Sequence, residues 1–293
     1  LDLCVMLAFK KFPANITIIG NKNAILSRAK QHKKNLIFTE KIRSHPGNGE
    51  LKIIHLDYKN PVICGKLDKS NSLQQLKGLK KSIALCLTNK FDALITLPIH
   101  KKILTTEKSK FTGHTEYIAD ACKAKGNEVM LLASNQLNVA LATTHIALKN
   151  VPGQITKKKL CHTINTLHDE LKSKFNISQP KITVTGLNPH SGEDGEFGDE
   201  EIRIIKPAVD EMKGLGISVN GPISADTAFT PKLISKTDCF LAMYHDQGLS
   251  AFKALTFGKG INVTLGLPII RTSVDHGTGL DIAGSTKIDP SSL

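Results

Sequence analysis

The stretch KITVTGLNPHSGEDGEFGDEE, residues 181–201, predicts a strand, a loop and the start of a helix, in that order. It opens with a β-branched apolar run and continues into a loop rich in glycine and acidic residues. The glycines permit backbone conformations that other residues avoid. The acidic residues 199–201 complement the dipole of a first helical turn. A strand, a loop and a helix in this order form the repeating unit of α/β proteins.

The same alternation of short β-branched runs and longer amphipathic stretches continues on both sides of this segment. We predict strands within residues 15–20, 51–57, 91–98, 128–134, 138–145, 181–188, 217–224, 238–245 and 261–270. We predict helices over residues 23–33, 73–89, 114–125, 156–175, 199–215 and 247–257. Several strand candidates are continuous apolar runs, as expected when both sheet faces are covered. The pattern predicts an α/β protein with a largely parallel sheet.

Three histidines each follow a strand-like run, since His145 closes NVALATTH, His190 closes KITVTGLNPH and His245 closes DCFLAMYH. If the three strands share one sheet, the imidazoles converge at its carboxyl edge, where α/β folds place ligands. Three neutral imidazoles with an open position are the ligand set of a catalytic divalent metal, most simply Zn²⁺. The alternative is that each is an ordinary polar residue at a strand end. The recurrence of one context three times favours the metal.

Length and composition bound the class of protein. A chain of 293 residues can form one large domain or two moderate ones. No apolar run reaches the roughly 18 residues of a membrane span, so no membrane partner is expected. The six cysteines are scattered without a C-x-x-C pair, which indicates free thiols in a reducing compartment and therefore a cytoplasmic location.

The net charge of +13 would suit nucleic acid, an anionic membrane or a small anionic substrate. The lysines are spread along helical faces, aromatic residues make up 5% of the chain and tryptophan is absent. This argues against a stacking platform for bases, so no nucleic-acid partner is expected. The glycine-rich segments 186–201 and 257–284 contain neither a G-x-G-x-x-G fingerprint after a strand nor a Walker A sequence. A standard Rossmann or P-loop site is therefore not predicted.

Six segments occur in the order of the motifs of a known family. They are FTGHTEYIAD, VALATTHIAL, GLNPHSGEDGEFGDEE, GPISADTAF, AMYHDQGLSAFKAL and GINVTLGLPIIRTSVDHGTGLDIAG. Together they resemble the 4-hydroxythreonine-4-phosphate dehydrogenases of vitamin B6 biosynthesis. Isocitrate and isopropylmalate dehydrogenases share the last loop and are the nearest competitors.

The resemblance implies an isocitrate/isopropylmalate dehydrogenase-like α/β fold with two lobes and an active site in the interlobe cleft. Residues 1–108 plus 248–293 would form the terminal lobe on the cofactor side. Residues 109–247 would form the middle lobe, with the metal ligands and the dimer contacts. The family is a homodimer in which the partner subunit completes each active site, and it binds NAD without a standard Rossmann motif.

The resemblance also implies roles for single residues. The metal ligands would be His145, His190 and His245, holding one divalent ion per site (Zn, Mg or Co). The substrate-binding residues would be His114, Thr115, Lys253, Asn262 and Arg271. The cofactor-side loop would include His276, Gly277, Thr278 and Asp281. The residues for proton transfer or orientation would be Lys253, Asp246 and Asp226.

The implied reaction is NAD-dependent oxidation of 4-phosphooxy-L-threonine to a β-keto acid, which decarboxylates to 3-amino-2-oxopropyl phosphate. The small phosphorylated substrate is anionic, which the basic net charge would favour. A bound divalent ion would lower the pKa of the substrate hydroxyl and stabilise the enolate that decarboxylation forms.

Three features depart from the family pattern. The opening G-D-P-x-G-I-G-P-E loop and the closing helix are absent, and Leu97 stands where the family has glycine in T-G-P. We therefore expect a chain truncated at both ends. Three alternatives stay open: another metal-dependent β-decarboxylating or hydroxy-acid dehydrogenase of the same fold, a basic nucleic-acid-binding module, and an inactive remnant.

Overall fold

The computed structural model describes residues 1–40, 44–105, 111–256, 259–274, 277–285, 287–290 and 293. The chain divides into two compact units, residues 1–121 with 273–293 and residues 122–272. None of the helices in these described ranges combines the length and the hydropathy that crossing a membrane requires.

The first unit contains a small parallel sheet with helices packed on it. The three strands of this sheet are β1 (Thr17–Gly20), β2 (Ile37–Phe38) and β3 (Glu50–His55), and the unit also contains strand β4 (Ala93–Thr96), which lies outside this sheet. Its helices are α1 (Asp2–Leu7), α2 (Lys22–Gln31), α3 (Ser72–Leu87), α4 (Lys101–Leu104) and α5 (His114–Ala121). Strand β3 lies between β1 and β2 and is parallel to both. Asn21 caps the start of helix α2, since its side chain accepts a hydrogen bond from the backbone of Ala24 at 2.9 Å.

The second unit is built on one large sheet. Its strands are β5 (Val129–Ala133), β6 (Asn138–Leu141), β7 (Ile182–Thr185), β8 (Val219–Ile223), β9 (Cys239–Ala242), β10 (Ile261–Leu265) and β11 (Ile270–Ser273). Its helices are α6 (Val151–Gln154), α7 (Lys157–Phe175), α8 (Lys206–Gly214), α9 (Ala225–Ala228), α10 (Pro231–Ile234) and α11 (His245–Thr256). A short 3₁₀ segment covers Leu148–Asn150, a turn with left-handed backbone runs through Pro189–Gly195, and a π turn, Glu201–Ile205, leads into α8.

The strands that the second unit contributes to this sheet follow the order β11-β10-β5-β6-β9-β7-β8. Strands β6, β9, β7 and β8 are parallel, as the sequence predicts. Every residue of β7 and β9 is buried, which agrees with apolar strands covered on both faces. One core cluster includes residues of α7 and α8, and another includes residues of α11.

The prediction of a largely parallel sheet is wrong at strand β5. This strand is antiparallel to both of its neighbours, β10 and β6, so the sheet is mixed. The reason lies in the link between β5 and β6, which is only residues 134–137. A parallel pair needs a crossover of about a dozen residues, whereas a tight turn joins antiparallel strands. The Ser134 hydroxyl stabilises this turn by accepting hydrogen bonds from the backbones of Gln136 and Leu137.

Candidate metal and substrate site

The three strands that precede the candidate metal ligands are direct neighbours. Strand β9 lies between β6 and β7 and is parallel to both. The chain leaves all three strands at the same edge of the sheet. His145 follows β6, His190 follows β7, and His245 begins helix α11 just after β9. The carboxyl edge of parallel strands is where α/β sheets bind ligands.

His145 and His245 lie next to each other. Their ring centroids are 5.5 Å apart. The Nδ1 atom of His245 is 2.6 Å from Oδ1 of Asp246, a hydrogen bond that fixes the ring. An imidazole held by a carboxylate at one nitrogen can offer the other as a neutral donor to a metal ion. These two histidines could therefore supply two ligands.

His190 lies on a separate loop beside Asp226. Its Nδ1 atom is 3.9 Å from Oδ2 of Asp226, and its side chain is 64% exposed. The Ser224 hydroxyl donates a hydrogen bond to Oδ1 of Asp226 at 2.5 Å. This hydrogen bond lowers the pKa of Asp226, and the charge of His190 lowers it further. Asp226 is therefore held in its ionised form near neutral pH.

The structure brings two of the three histidines together. Among the described residues of one chain, no group of three or more His, Cys, Asp or Glu side chains is placed to hold a metal ion. The donor chemistry suits a divalent ion, because two imidazoles are adjacent and a carboxylate orients one of them. One chain therefore provides His145 and His245 as an adjacent pair of candidate ligands, with the imidazole of His190 on a separate loop.

Two polar side chains that the sequence did not single out connect the strand ends. Oε1 of Gln247 accepts hydrogen bonds from Thr185 Oγ1 at 2.8 Å and from the backbone of Met243 at 2.7 Å. Its Nε2 donates to the carbonyl of Gly186 at 2.7 Å. Glu201 is 3% exposed and accepts hydrogen bonds from the loop that follows β7. The sequence predicts Glu201 in the first helical turn as a complement to the helix dipole, but its carboxylate accepts hydrogen bonds from the loop.

The candidate substrate residues of the second unit differ in burial. Lys253 is exposed on α11, the helix that His245 begins. The Oδ1 atom of Asn262 on β10 is buried and accepts no hydrogen bond within the described part of the chain. Arg271 on β11 is 4% exposed, and its Nη1 donates to Thr264 Oγ1 at 2.8 Å. Arg271 is therefore a buried cation, not a surface residue.

The remaining candidate residues lie in the first unit. His114 and Thr115 form the start of α5, with the ring of Phe111 edge-on to His114 at 5.8 Å. The backbone N–H groups of a first helical turn favour anions. Gly277, Thr278 and Asp281 of the candidate cofactor loop are exposed. His276 lies outside the described residues.

All six cysteines are free, as the sequence predicts. Three of them, Cys4, Cys86 and Cys239, are buried. Burial raises the pKa of Cys239 to about 12, so this thiol stays protonated and poorly nucleophilic.

Comparison with known proteins gives matches over the whole chain. The family model described as pyridoxal phosphate biosynthetic protein PdxA matches residues 12–293. The 4-hydroxythreonine-4-phosphate dehydrogenase of Chromobacterium violaceum is 44% identical over 293 residues, which are 100% of this chain and 89% of that protein. A crystal structure of the Klebsiella pneumoniae enzyme of the same name has a TM-score of 0.90 and 30% identity, covering 99% of this chain and 91% of that one.

A more distant solved structure shares the fold. The terephthalate 1,2-cis-dihydrodiol dehydrogenase of Burkholderia xenovorans has a TM-score of 0.62 at 20% identity, covering 95% of each chain. The expected truncation finds no support in the matches, which take in the whole of this chain. The family model and the curated relatives agree with the motifs. The chain belongs to the family of the pyridoxal phosphate biosynthetic protein PdxA.

Proposed function

We propose that this chain is an NAD-dependent 4-hydroxythreonine-4-phosphate dehydrogenase of pyridoxal 5'-phosphate biosynthesis. The observation that carries the proposal is 44% identity to a dehydrogenase of that name over all 293 residues. The geometry supports it, because three neighbouring parallel strands each lead to a histidine at the edge where such sheets bind ligands.

The proposed reaction is an oxidation followed by a decarboxylation. The hydroxyl of 4-phosphooxy-L-threonine loses its proton to a protein base, and the carbon that bears it transfers a hydride to NAD⁺. The products are NADH and a β-keto acid. The β-keto acid loses CO₂, and protonation of the resulting enolate at carbon gives 3-amino-2-oxopropyl phosphate.

Two carboxylates are suited to orienting the histidines or transferring protons. Asp226 is ionised near neutral pH, and because its pKa is lowered it suits orientation of His190 better than proton abstraction. Asp246 is hydrogen-bonded to His245 and can orient this imidazole. Lys253 completes the set that we propose for catalysis, and its ammonium group can hold a carboxylate or phosphate of the substrate.

We propose that His145, His190 and His245 hold a divalent ion, with Zn, Mg and Co as the candidates. The ion would polarise the substrate hydroxyl and stabilise the enolate as a Lewis acid. The adjacent pair His145 and His245 of one chain would be completed by His190 of the partner subunit in a homodimer. This arrangement is supported by the spacing of the pair and by the lack of a three-ligand group within the described residues of one chain.

The anionic and polar groups of the substrate suit the other candidate residues. The guanidinium of Arg271 offers a planar fork that matches a carboxylate or a phosphate. The unsatisfied amide oxygen of Asn262 can accept a hydrogen bond from the substrate. His114 and Thr115 can donate to phosphate oxygens at the start of α5.

The cofactor assignment follows the family. We propose that NAD binds at the loop of His276, Gly277, Thr278 and Asp281. The free cysteines agree with a reducing compartment, and we infer a cytoplasmic location.

Turnover with matched substrates tests the function. We expect NADH formation with 4-phosphooxy-L-threonine and Co²⁺, Mg²⁺ or Zn²⁺, and much slower turnover with isopropylmalate-type or erythronate-type acids. Arg271→Lys keeps the charge but loses the fork, so kcat/KM should fall about tenfold or more, a loss of roughly 1.4 kcal/mol of transition-state binding. A preference for an unphosphorylated acid would contradict the proposed substrate and indicate another hydroxy-acid dehydrogenase.

A further inference from the structure

The loop that carries His190 has an unusual backbone. His190, Ser191, Glu193 and Asp194 have φ values of 51°, 55°, 42° and 56°, and Gly192 between them has 82°. Five consecutive residues therefore occupy the left-handed region, and four of them are not glycine. L-amino acids are disfavoured there, because Cβ approaches the carbonyl oxygen. A segment of this kind persists only when its surroundings hold it in place.

Glu201 is one of the groups that hold this loop. Its Oε1 accepts hydrogen bonds from the backbones of Leu187 at 2.7 Å and Asn188 at 2.8 Å. Its Oε2 accepts a third from the Asn188 side chain at 2.9 Å. A Cβ atom at Gly192 would lie 2.9 Å from Oε2 of Glu201, so only glycine lets the loop pass this close to the carboxylate.

Gln247 connects the same loop to the strand end that leads to His245. It accepts one hydrogen bond from the backbone of Met243, which follows β9, and donates one to the carbonyl of Gly186, which follows β7. Met243 in turn accepts a hydrogen bond from the Thr143 hydroxyl at 2.7 Å, just before His145. The chain segments before all three histidines are thus tied together by side chains that are not themselves candidate ligands.

We propose that Glu201 and Gln247 are positioning residues that fix the His190 loop and the His245 turn on the sheet edge before a metal ion binds. The inference rests on the proposed function, since it assumes that these histidines bind a divalent ion. Groups behind metal ligands that restrict their orientation commonly affect metal affinity about 10- to 100-fold when altered. Without Glu201 the left-handed loop loses three hydrogen bonds, and metal binding must then order it.

Co²⁺ titration of the metal-depleted full-length protein, followed by its visible absorption, measures the effect. Glu201→Gln keeps the size of the side chain but turns an amide N–H₂ toward groups that donate. Gln247→Leu removes the link between the two strand ends. Each variant should raise the Kd for Co²⁺ about tenfold and alter the absorption spectrum. The matched control is Glu196→Gln, the same change at an exposed residue of the same loop, and it should leave both unchanged.

Amide hydrogen exchange in the metal-free protein supplies a readout that does not depend on the metal. Glu201→Gln should remove the protection of the Leu187 and Asn188 amides, and Gln247→Leu that of the Met243 amide. If these amides lose protection in the variants while the Kd for Co²⁺ stays unchanged, the inference is overturned, because Glu201 and Gln247 would then support the fold without affecting metal binding. If Glu201→Gln fails to fold, Glu201→Asp takes its place under the same criteria.

The proposed function fails in a different way. His245→Ala should abolish Co²⁺ binding without changing the exchange of the Leu187 and Asn188 amides. If His245→Ala instead binds Co²⁺ like the wild type, the metal site is wrong, whatever the exchange of the Glu201 variant shows.

Discussion

Arg28 is a buried cation whose neighbours neutralise it. It forms an ion pair with Asp2, and the two side chains are 7% and 11% exposed. Asp2 also contacts Nε2 of His32 at 2.7 Å. Removing one partner of a buried pair leaves an uncompensated charge. Arg28→Leu should therefore lower the free energy of unfolding by about 3–5 kcal/mol in urea denaturation.

The matched control is the exposed pair of Arg203 and Asp199, whose side chains are 61% and 53% exposed. Arg203→Leu should cost under about 1 kcal/mol, because solvent already screens this pair. Equal losses in the two variants would contradict the importance of burial at Arg28.

The same cluster predicts a pH dependence. Burial raises the pKa of Asp2, but the His32 hydrogen bond and the Arg28 charge outweigh it and lower the pKa below its ordinary 3.8. A carboxyl with a lowered folded-state pKa stabilises the fold above its unfolded pKa, and this contribution is lost as pH falls through the folded value. Unfolding measured between pH 6 and pH 2 should show a loss of stability below about pH 4 that is smaller in Asp2→Asn. Identical pH profiles would contradict the assignment.

Single residues also mark the limit of sequence reasoning about the site. The strand-end position of His145, His190 and His245 could be predicted because each follows an apolar run. Glu201 could not be distinguished from its acidic neighbours, because sequence does not show which carboxylate is buried. The role of Gln247 depends on contacts with Thr185 and Gly186, which are far away in the chain and meet only in the folded sheet.

Helix α11 shows how one small residue places an element. A Cβ atom at Gly248 would lie 2.8 Å from Val139 Cγ1, 2.9 Å from Leu141 Cδ2 and 3.1 Å from Ala242 Cβ. The first turn of α11, which His245 begins, therefore packs directly on β6 and β9. Gly248→Ala should push this turn off the sheet and lower stability by about 1–3 kcal/mol, since overpacking costs this much in a tight core.

Thermal unfolding and Co²⁺ titration check this prediction together. Ser250→Ala, at an exposed position of the same helix, is the control and should change neither measurement. A Gly248→Ala protein with wild-type stability and Co²⁺ affinity would mean that the helix does not depend on this contact.

Most elements of the second unit could be predicted from the sequence, but the direction of strand β5 could not. The apolar runs of β7 and β9 and the long amphipathic helix α7 follow directly from periodicity. The direction of β5 could not be predicted from periodicity, because a buried strand has the same composition whether it runs parallel or antiparallel to its neighbours. The direction of β5 relative to β6 can be predicted only from the link of residues 134–137, which is long enough for an antiparallel turn but too short for a parallel crossover.

At the scale of the whole molecule, alternation of strands and helices predicts the α/β class, but the motif order identifies the family. Composition alone left nucleic acid and anionic substrates as alternatives, since a charge of +13 suits both. The relation to known dehydrogenases over the full chain decides between them. Sequence could not decide whether the three candidate ligands of one site come from one subunit or from two, because that depends on the symmetry of an assembly.

The proposed homodimer can be tested with hybrid dimers that combine two inactive variants. If His145 and His245 of one subunit bind the ion with His190 of the partner subunit, His145→Ala and His190→Ala are each inactive alone. A hybrid dimer of the two variants regains one intact site, because one subunit supplies the pair and the other supplies the loop. Random mixing from unfolded chains should restore roughly a quarter of wild-type Co²⁺ sites and turnover, since half of the dimers are hybrids with one good site in two.

Mixing His145→Ala with His245→Ala is the control. Both variants damage the same half of the site, so their hybrids should regain nothing. Recovery in the first mixture and not in the second would assign His190 to the partner's site. If neither mixture recovers while both still form dimers, all three ligands must come from one chain, and the His190 loop would have to move toward the other two when the metal binds.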